Sequence, residues 1–334
     1  MLISILIIYK YYVADMERYA MKKKDNLRKK HASKKRGEID FSQMPIADMV
    51  NYFMGSHRRK REGELGRWKV KPVADHEWIF VEPLELDSVY EVFDKGCELL
   101  EYGKISQAEK LLRDVTHKTP LHIDAMHHLA IILDGKGKSE EARQLWIKGV
   151  EIGRSAFPRK FISGDRLEWD WLENRPFLRC LHSLGTATLS NGDIQKAVGI
   201  FEELLSYNPN DNQGVRELLL EIYLEKKELK KAYNLCKKYP NDTLAGLWFG
   251  YPLVLFGFGK KEQASKNLNK VLKESPKIAK ELLKKSHKKP KSEMPGYISV
   301  GGWDEAYDYW ERFGRFWDKE KLDWLHQVMN EHSD

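Results

Sequence analysis

The stretch GKISQAEKLL (residues 103–112) is echoed 34 residues later by GKSEEARQLW (residues 137–146), with Ala108 and Ala142 in register. At the same offset Gly96 faces Ala130, Leu99 faces Leu133 and Leu112 faces Trp146. The pattern returns around Ala197 in GDIQKAVGIF, Ala232 in ELKKAYNLC and Ala264 in KKEQASKNL, at spacings of 55, 35 and 32 residues. The longest spacing is one period plus an insertion. Three of the alanines are followed twelve residues on by Pro120, Pro209 and Pro276, where proline ends the second of two helices.

A period of this length is the mark of a helix-turn-helix unit that buries its apolar face only by stacking on neighbours. Small residues let the two helices approach closely, and large ones fill the layer between units. These residues resemble the tetratricopeptide repeat (TPR). The resemblance implies an all-α, right-handed α-solenoid of about five TPR units over residues 89–276, with an insertion at 157–177 and a helical cap at 277–334. Repeat four lacks the late proline, and repeat five carries Pro252 within its first helix, where a kink or late start is expected. GRSAFP, DRLEWDWLENRPFLR, NPNDNQGVRELL, PGYISVGGWDEAYDYW and LDWL extend the likeness to bacterial TPR proteins related to the suppressor-of-tumorigenicity family, over residues 90–327. That likeness implies a fold and no reaction.

Composition sets the setting. Cys97, Cys180 and Cys236 are isolated in a chain of 334 residues, so neither a disulfide framework nor a zinc knuckle is indicated, and a cytoplasmic location is expected. The formal charge of +7 is uneven. In KKKDNLRKKHASKKR (22–36) nine of fifteen residues are basic, HRRKR follows at 57–61, and residues 260–291 form a second basic segment before an acidic end. Residues 16–88 read as a basic, partly disordered region. The apolar run at 1–15 is too short to span a bilayer, which takes about 20 apolar residues. It is read as a docked helix, a membrane-surface anchor giving peripheral contact, or sequence upstream of the true start.

No phosphate loop, HExxH, nucleophile elbow or dinucleotide fingerprint occurs, so neither an enzyme nor a cofactor is expected. His127 and His128, adjacent on a helix, point about 100° apart and make no metal site. The expected function is a protein-protein interaction scaffold that takes a peptide in the concave groove. Candidate groove residues are Asp124, His127, Arg175, Arg179, His182, Thr186, Arg216, Glu217 and Glu221. Arg179 and His182, three apart on one helix face, are placed to meet one acidic segment of a partner. The alternative is a nucleic-acid-associated protein using residues 22–36, 57–61 and 260–291.

Two local features carry further expectations. In NPNDNQGVRE (208–217) Asn210 or Asp211 is expected to cap the next helix. Gly214, in its first turn, marks either a close helix contact or space for a ligand beside Arg216. Trp303, Tyr307, Trp310, Phe313 and Trp317 form a stripe expected to be buried in the cap. KIAKELLKKSHKKPK (277–291) continues the basic stretch and, if helical through Ser286, presents Ile278, Leu282 and Leu283 on one side and lysines on the other.

Overall fold

A computed structural model describes residues 65–240, 242–291 and 298–331. The apolar run at 1–15 and the basic runs at 22–36 and 57–61 lie outside them.

Five helix pairs follow one another: α1 (Tyr90–Glu101) with α2 (Ile105–Lys118), α3 (Ile123–Gly135) with α4 (Ser139–Ser155), α5 (Arg175–Ser190) with α6 (Ile194–Tyr207), α7 (Val215–Glu225) with α8 (Leu229–Lys238), and α9 (Ala245–Gly257) with α10 (Lys261–Glu274). Ala108, Ala142, Ala197, Ala232 and Ala264 are all fully buried. Each lets its helix lie close against the first helix of the pair. Four residues on, Leu112, Trp146, Phe201, Cys236 and Leu268 fill the space between layers and are buried as well. The architecture is the expected solenoid, and among the described residues the regular structure is helical but for one short hairpin.

Helix α9 runs through Pro252, with no late start. Pro276 does more than stop α10: it opens α11 (Pro276–Leu282), because its fixed φ and missing N–H suit a first turn. That helix ends at Leu282, four residues before Ser286. Ile278 and Leu282 are buried and Leu283 is partly buried, on the expected side.

The hairpin is the element that the reading of residues 16–88 as a basic, partly disordered region omits. Strands β1 (Lys69–Ala74) and β2 (Glu77–Val81) pair antiparallel, with Val70 opposite Phe80. Trp68 and Phe80 meet edge to face at 5.8 Å, and Trp68 Nε1 donates to the Leu121 carbonyl at 2.7 Å. Phe80 also packs on Phe157 and Phe177, tying the hairpin to the insertion and to α5. The insertion supplies a backbone partner: Trp78 N–H donates to Arg166 O, and Arg166 N–H to His76 O. Repeat three begins at Arg175, inside the stretch assigned to the insertion.

Asn174, fully buried, joins three segments. Its Oδ1 accepts from Phe80 N–H at 3.0 Å, and its Nδ2 lies 3.1 Å from Trp78 O and 3.0 Å from Glu168 O.

The cap comprises α11, α12 (Trp303–Phe313) and α13 (Lys319–Asn330). Its buried stripe is Ala306, Tyr309, Phe313 and Trp317. Trp303, expected inside, is exposed under the Lys284 ammonium, 4.3 Å from its ring centre. Trp317 stacks on Trp324, whose Nε1 donates to Ser265 Oγ at 2.9 Å, and Phe256 packs on Trp324 at 4.7 Å. These rings cover the end of repeat five, which would otherwise expose its apolar layer.

Replacing Asn174 with Ala strands one buried N–H and removes the amide donor from two carbonyls, so Asn174→Ala is expected to destabilise the fold by about 2–4 kcal/mol. Denaturant titration followed by tryptophan fluorescence measures this; an unchanged midpoint would remove Asn174 as the joint between hairpin and array.

Candidate functional site: the concave face of the array

The first helices of the pairs line the concave face, and two different surfaces occupy it. Over repeats one to three its floor is polar. Asp124, in the first turn of α3, accepts from Arg179 Nη2 of α5 through both carboxylate oxygens, at 2.8 and 2.7 Å. Burial alone would raise the Asp124 carboxyl, but Arg179 and the neighbouring histidines outweigh it and hold the group at about 2. His128 Nδ1 lies 2.8 Å from the Asp124 carbonyl. His127 and His128 meet edge to face at 5.3 Å, and His127 Nδ1 is buried without a hydrogen-bond partner. Burial lowers the His127 imidazole well below its ordinary value and brings His182 down to about 4. It also pushes the Cys97 thiol well up, with Asp124 adding to the effect.

This corrects the expected pairing of Arg179 with His182. The guanidinium is committed to Asp124, and His182 is neutral near pH 7, so the two do not act as twin cations for one partner carboxylate. Thr186 sits half-buried one turn on, its hydroxyl donating to His182 O at 3.1 Å.

Arg175 is not in the groove. It is buried, its Nε donates to Trp169 O at 2.9 Å, and its guanidinium lies 5.0 Å from the Trp169 ring centre, so it anchors the insertion. Arg216 is a brace between loops. It pairs with Asp211 at 3.0 Å and with Asp242, and covers the Tyr239 ring. Asp211 caps α7 as expected, accepting from Val215 N–H and Arg216 N–H at 2.9 and 2.8 Å. Gly214 precedes the helix at φ 72° with nothing within 4 Å of a Cβ placed there, so no close helix contact explains it. A left-handed residue is what turns the chain into α7.

Over repeats four and five the concave face is filled by the chain's own α12. Glu217, Glu221 and Glu225 stand at i, i+4 and i+8 on α7. Arg312 reaches Glu217 and Glu221 at 3.2 and 3.3 Å, and Arg315 reaches Glu221 and Glu225 at 3.0 and 2.8 Å. Glu217 also accepts from Gly246 N–H at 2.6 Å. A Cβ on Gly246 would stand 2.4 Å from that carboxylate and 2.9 Å from the Phe313 ring, so only glycine allows this approach. Tyr309 packs on Phe249 at 5.3 Å. Glu217 and Glu221, expected to meet a partner, are therefore held by the cap. Arg312 and Arg315, which complete the site, went unread, although two arginines three apart at the end of an aromatic helix match a glutamate row of one-turn spacing.

A family model described as "Transcriptional repressor TCF25" matches residues 102–334. The chain belongs to the Tcf25 family. The match takes in most of the stretch that resembles the bacterial TPR group, and the family is Tcf25 rather than that group. Tcf25, by its description, is a transcriptional repressor. No curated protein matches the chain. Among solved structures it is similar to a tetratricopeptide repeat protein from Parabacteroides merdae (16% identity, 73% of this chain and 80% of that one, TM-score 0.46). It is also similar to YrrB, a TPR protein with an unusual peptide-binding site (14% identity, 55% and 85%, TM-score 0.41), and to MamA (17% identity, 60% and 99%, TM-score 0.42). No helix among the described residues is long and apolar enough to cross a membrane.

Two outcomes follow from the polar floor. Arg179→Ala leaves the Asp124 carboxylate without its main countercharge and is expected to cost about 3 kcal/mol, since breaking a buried pair from one side is strongly destabilising. Chemical denaturation checks it, and Asp124→Ala in the same chain should recover part of the loss.

The second outcome is acid sensitivity. The folded His182 pKa is about 4, below the unfolded value near 6.5. Above about pH 6.5 both states are neutral and nothing is lost; below it the unfolded chain takes up a proton that the folded chain refuses. Stability then falls by about 1.4 kcal/mol per pH unit for this histidine until about pH 4. Asp124 adds a loss only as pH drops from its unfolded value towards about 2. Denaturant midpoints at about pH 7.5 and about pH 5 should differ, and less so in His182→Gln; an equal fall in the variant would clear His182 of the effect.

Proposed function

We propose that this member of the Tcf25 family is a protein-interaction scaffold that takes a partner segment along the concave face of repeats one to three. The observation that carries the reading is the packing of α12 against α7 and α9. Over repeats four and five the same face already recognises a helix, through arginines on a glutamate row and aromatic rings in the space beside Gly246. Helix-in-groove recognition of this kind is how an amphipathic segment is read by shape and charge together. The groove set is then Asp124, His127, Arg179, His182 and Thr186, with the ion pair as floor and His182 and Thr186 at its edge.

The family description ties the proposed scaffold to transcriptional repression, with the partner a protein of that process. Three free cysteines, Cys180 and Cys236 of them buried, fit a reducing compartment. The cytoplasmic setting belongs to the same proposal.

A photo-crosslinking residue at Thr186 tests it. In cells, Thr186→p-benzoylphenylalanine should give discrete protein adducts that Lys148→p-benzoylphenylalanine, on the second helix of repeat two, does not. Adducts at Lys148 alone would move the partner surface off the concave face.

A further inference from the structure

Lysine is concentrated in the second helices of repeats four and five. In the second helices of repeats one to three, Arg113, Arg143 and Arg154 are paired with glutamates, while the scattered Lys110, Lys148 and Lys196 have no carboxylate within salt-bridge reach among the described residues. In repeats four and five, α8 (LKKAYNLCKK) contains four lysines and no acid, and α10 contains four lysines and two glutamates. Among the described residues Lys231 is paired with Glu202 and Glu228 and Lys261 with Glu320, whereas Lys237, Lys238, Lys260 and Lys270 have no carboxylate within salt-bridge reach.

These four lysines border a run of aromatic rings. Phe258, 42% exposed in the turn between α9 and α10, meets Tyr233 edge to face at 5.5 Å, and Tyr233 lies 6.2 Å from Tyr251. Lys260 and Lys237 stand 4.9 and 5.7 Å from the Tyr233 ring centre, and Lys238 stands 5.5 Å from that of Tyr239. Beside Tyr251 the track opens into a cleft of about 50 Å³ among α8, α9 and α10, lined by Tyr239, Trp248, Tyr251 and Lys270. Two acids touch this cleft. Asp242 is already held by Arg216, and Glu274 lies at the end of α10.

We infer that this track binds single-stranded nucleic acid. The unpaired lysines hold phosphates, and bases stack on Phe258 and against the rings of the cleft. Successive aromatic faces flanked by cations are what a single strand needs, because every base has a π-face whereas a duplex hides its own. An acidic peptide would use the same lysines but gain nothing from a row of rings. The track is built from repeats four and five and the groove proposed for a protein partner from repeats one to three, so the two use different residues.

Fluorescence anisotropy of the full chain with a labelled single-stranded RNA about 20 nucleotides long tests the inference. Lys237→Glu, Lys260→Glu and Lys270→Glu together should weaken binding about tenfold or more. The slope of log K against log salt should fall by about 2, the share of three phosphate contacts. Phe258→Ala should weaken binding about tenfold with the salt slope unchanged, the signature of a lost stack rather than a lost charge. The control carries the same charge change on repeats one to three, as Lys110→Glu, Lys148→Glu and Lys196→Glu, and should bind nearly as the parent. All the replaced side chains are exposed, and circular dichroism verifies folding. Absence of binding by the parent chain, or equal loss in both triple variants, overturns the assignment. So does lysine-dependent binding of polyglutamate in place of RNA, which would make the face a dock for an acidic protein.

Discussion

Five fully buried alanines, one in each second helix, set the distance between the helices of every pair, and the other packing of this molecule follows from that spacing. With a methyl group at the contact the helices lie close, so the bulky residue one turn on projects into the layer between repeats. A unit built this way cannot cover its own apolar face. It must be stacked, and the stack must be closed.

The closures are not repeats. At repeats two and three the hairpin and the insertion seal the array around Phe80, Phe157 and Phe177, with Asn174 satisfying backbone groups of three segments at once. At the far end α12 and α13 bring Tyr309, Phe313, Trp317 and Trp324 over repeat five. Closing that end has a functional consequence, because α12 docks on the concave side and consumes the glutamate row of α7. A groove that would run the length of the solenoid is left to repeats one to three.

Charge is disposed in the same uneven way. On the concave face it is internal: Asp124 with Arg179, and the row Glu217, Glu221 and Glu225 with Arg312 and Arg315. The buried histidines beside Asp124 are kept neutral by desolvation, which makes that floor a neutral polar surface at neutral pH rather than a basic one. Lysines without a carboxylate partner are most concentrated on α8, α10 and the turn before α10. The proposed recognition by shape and the proposed recognition by charge thus draw on different repeats of one scaffold.

The period, the buried alanines, the proline stops and the Asp211 cap were legible in the amino-acid order, because each expresses a contact between residues near in sequence. The hairpin was harder to read: Val70 and Phe80 alternate as strand residues should, but Pro72 interrupts one run and the surroundings are basic. The roles of Arg175, Arg216, Glu217 and Glu221 were not legible at all. Their partners Trp169, Asp242, Arg312 and Arg315 come from the insertion, a neighbouring loop and a cap more than 90 residues distant. Gly214 was misread because positive φ leaves no trace in composition. Sequence by itself therefore determined the repeating unit, since local spacing dictates which faces of the helices are apolar. Tertiary structure alone decided which polar residues remain for a partner, since that depends on where the non-repeating ends dock and which charges they consume.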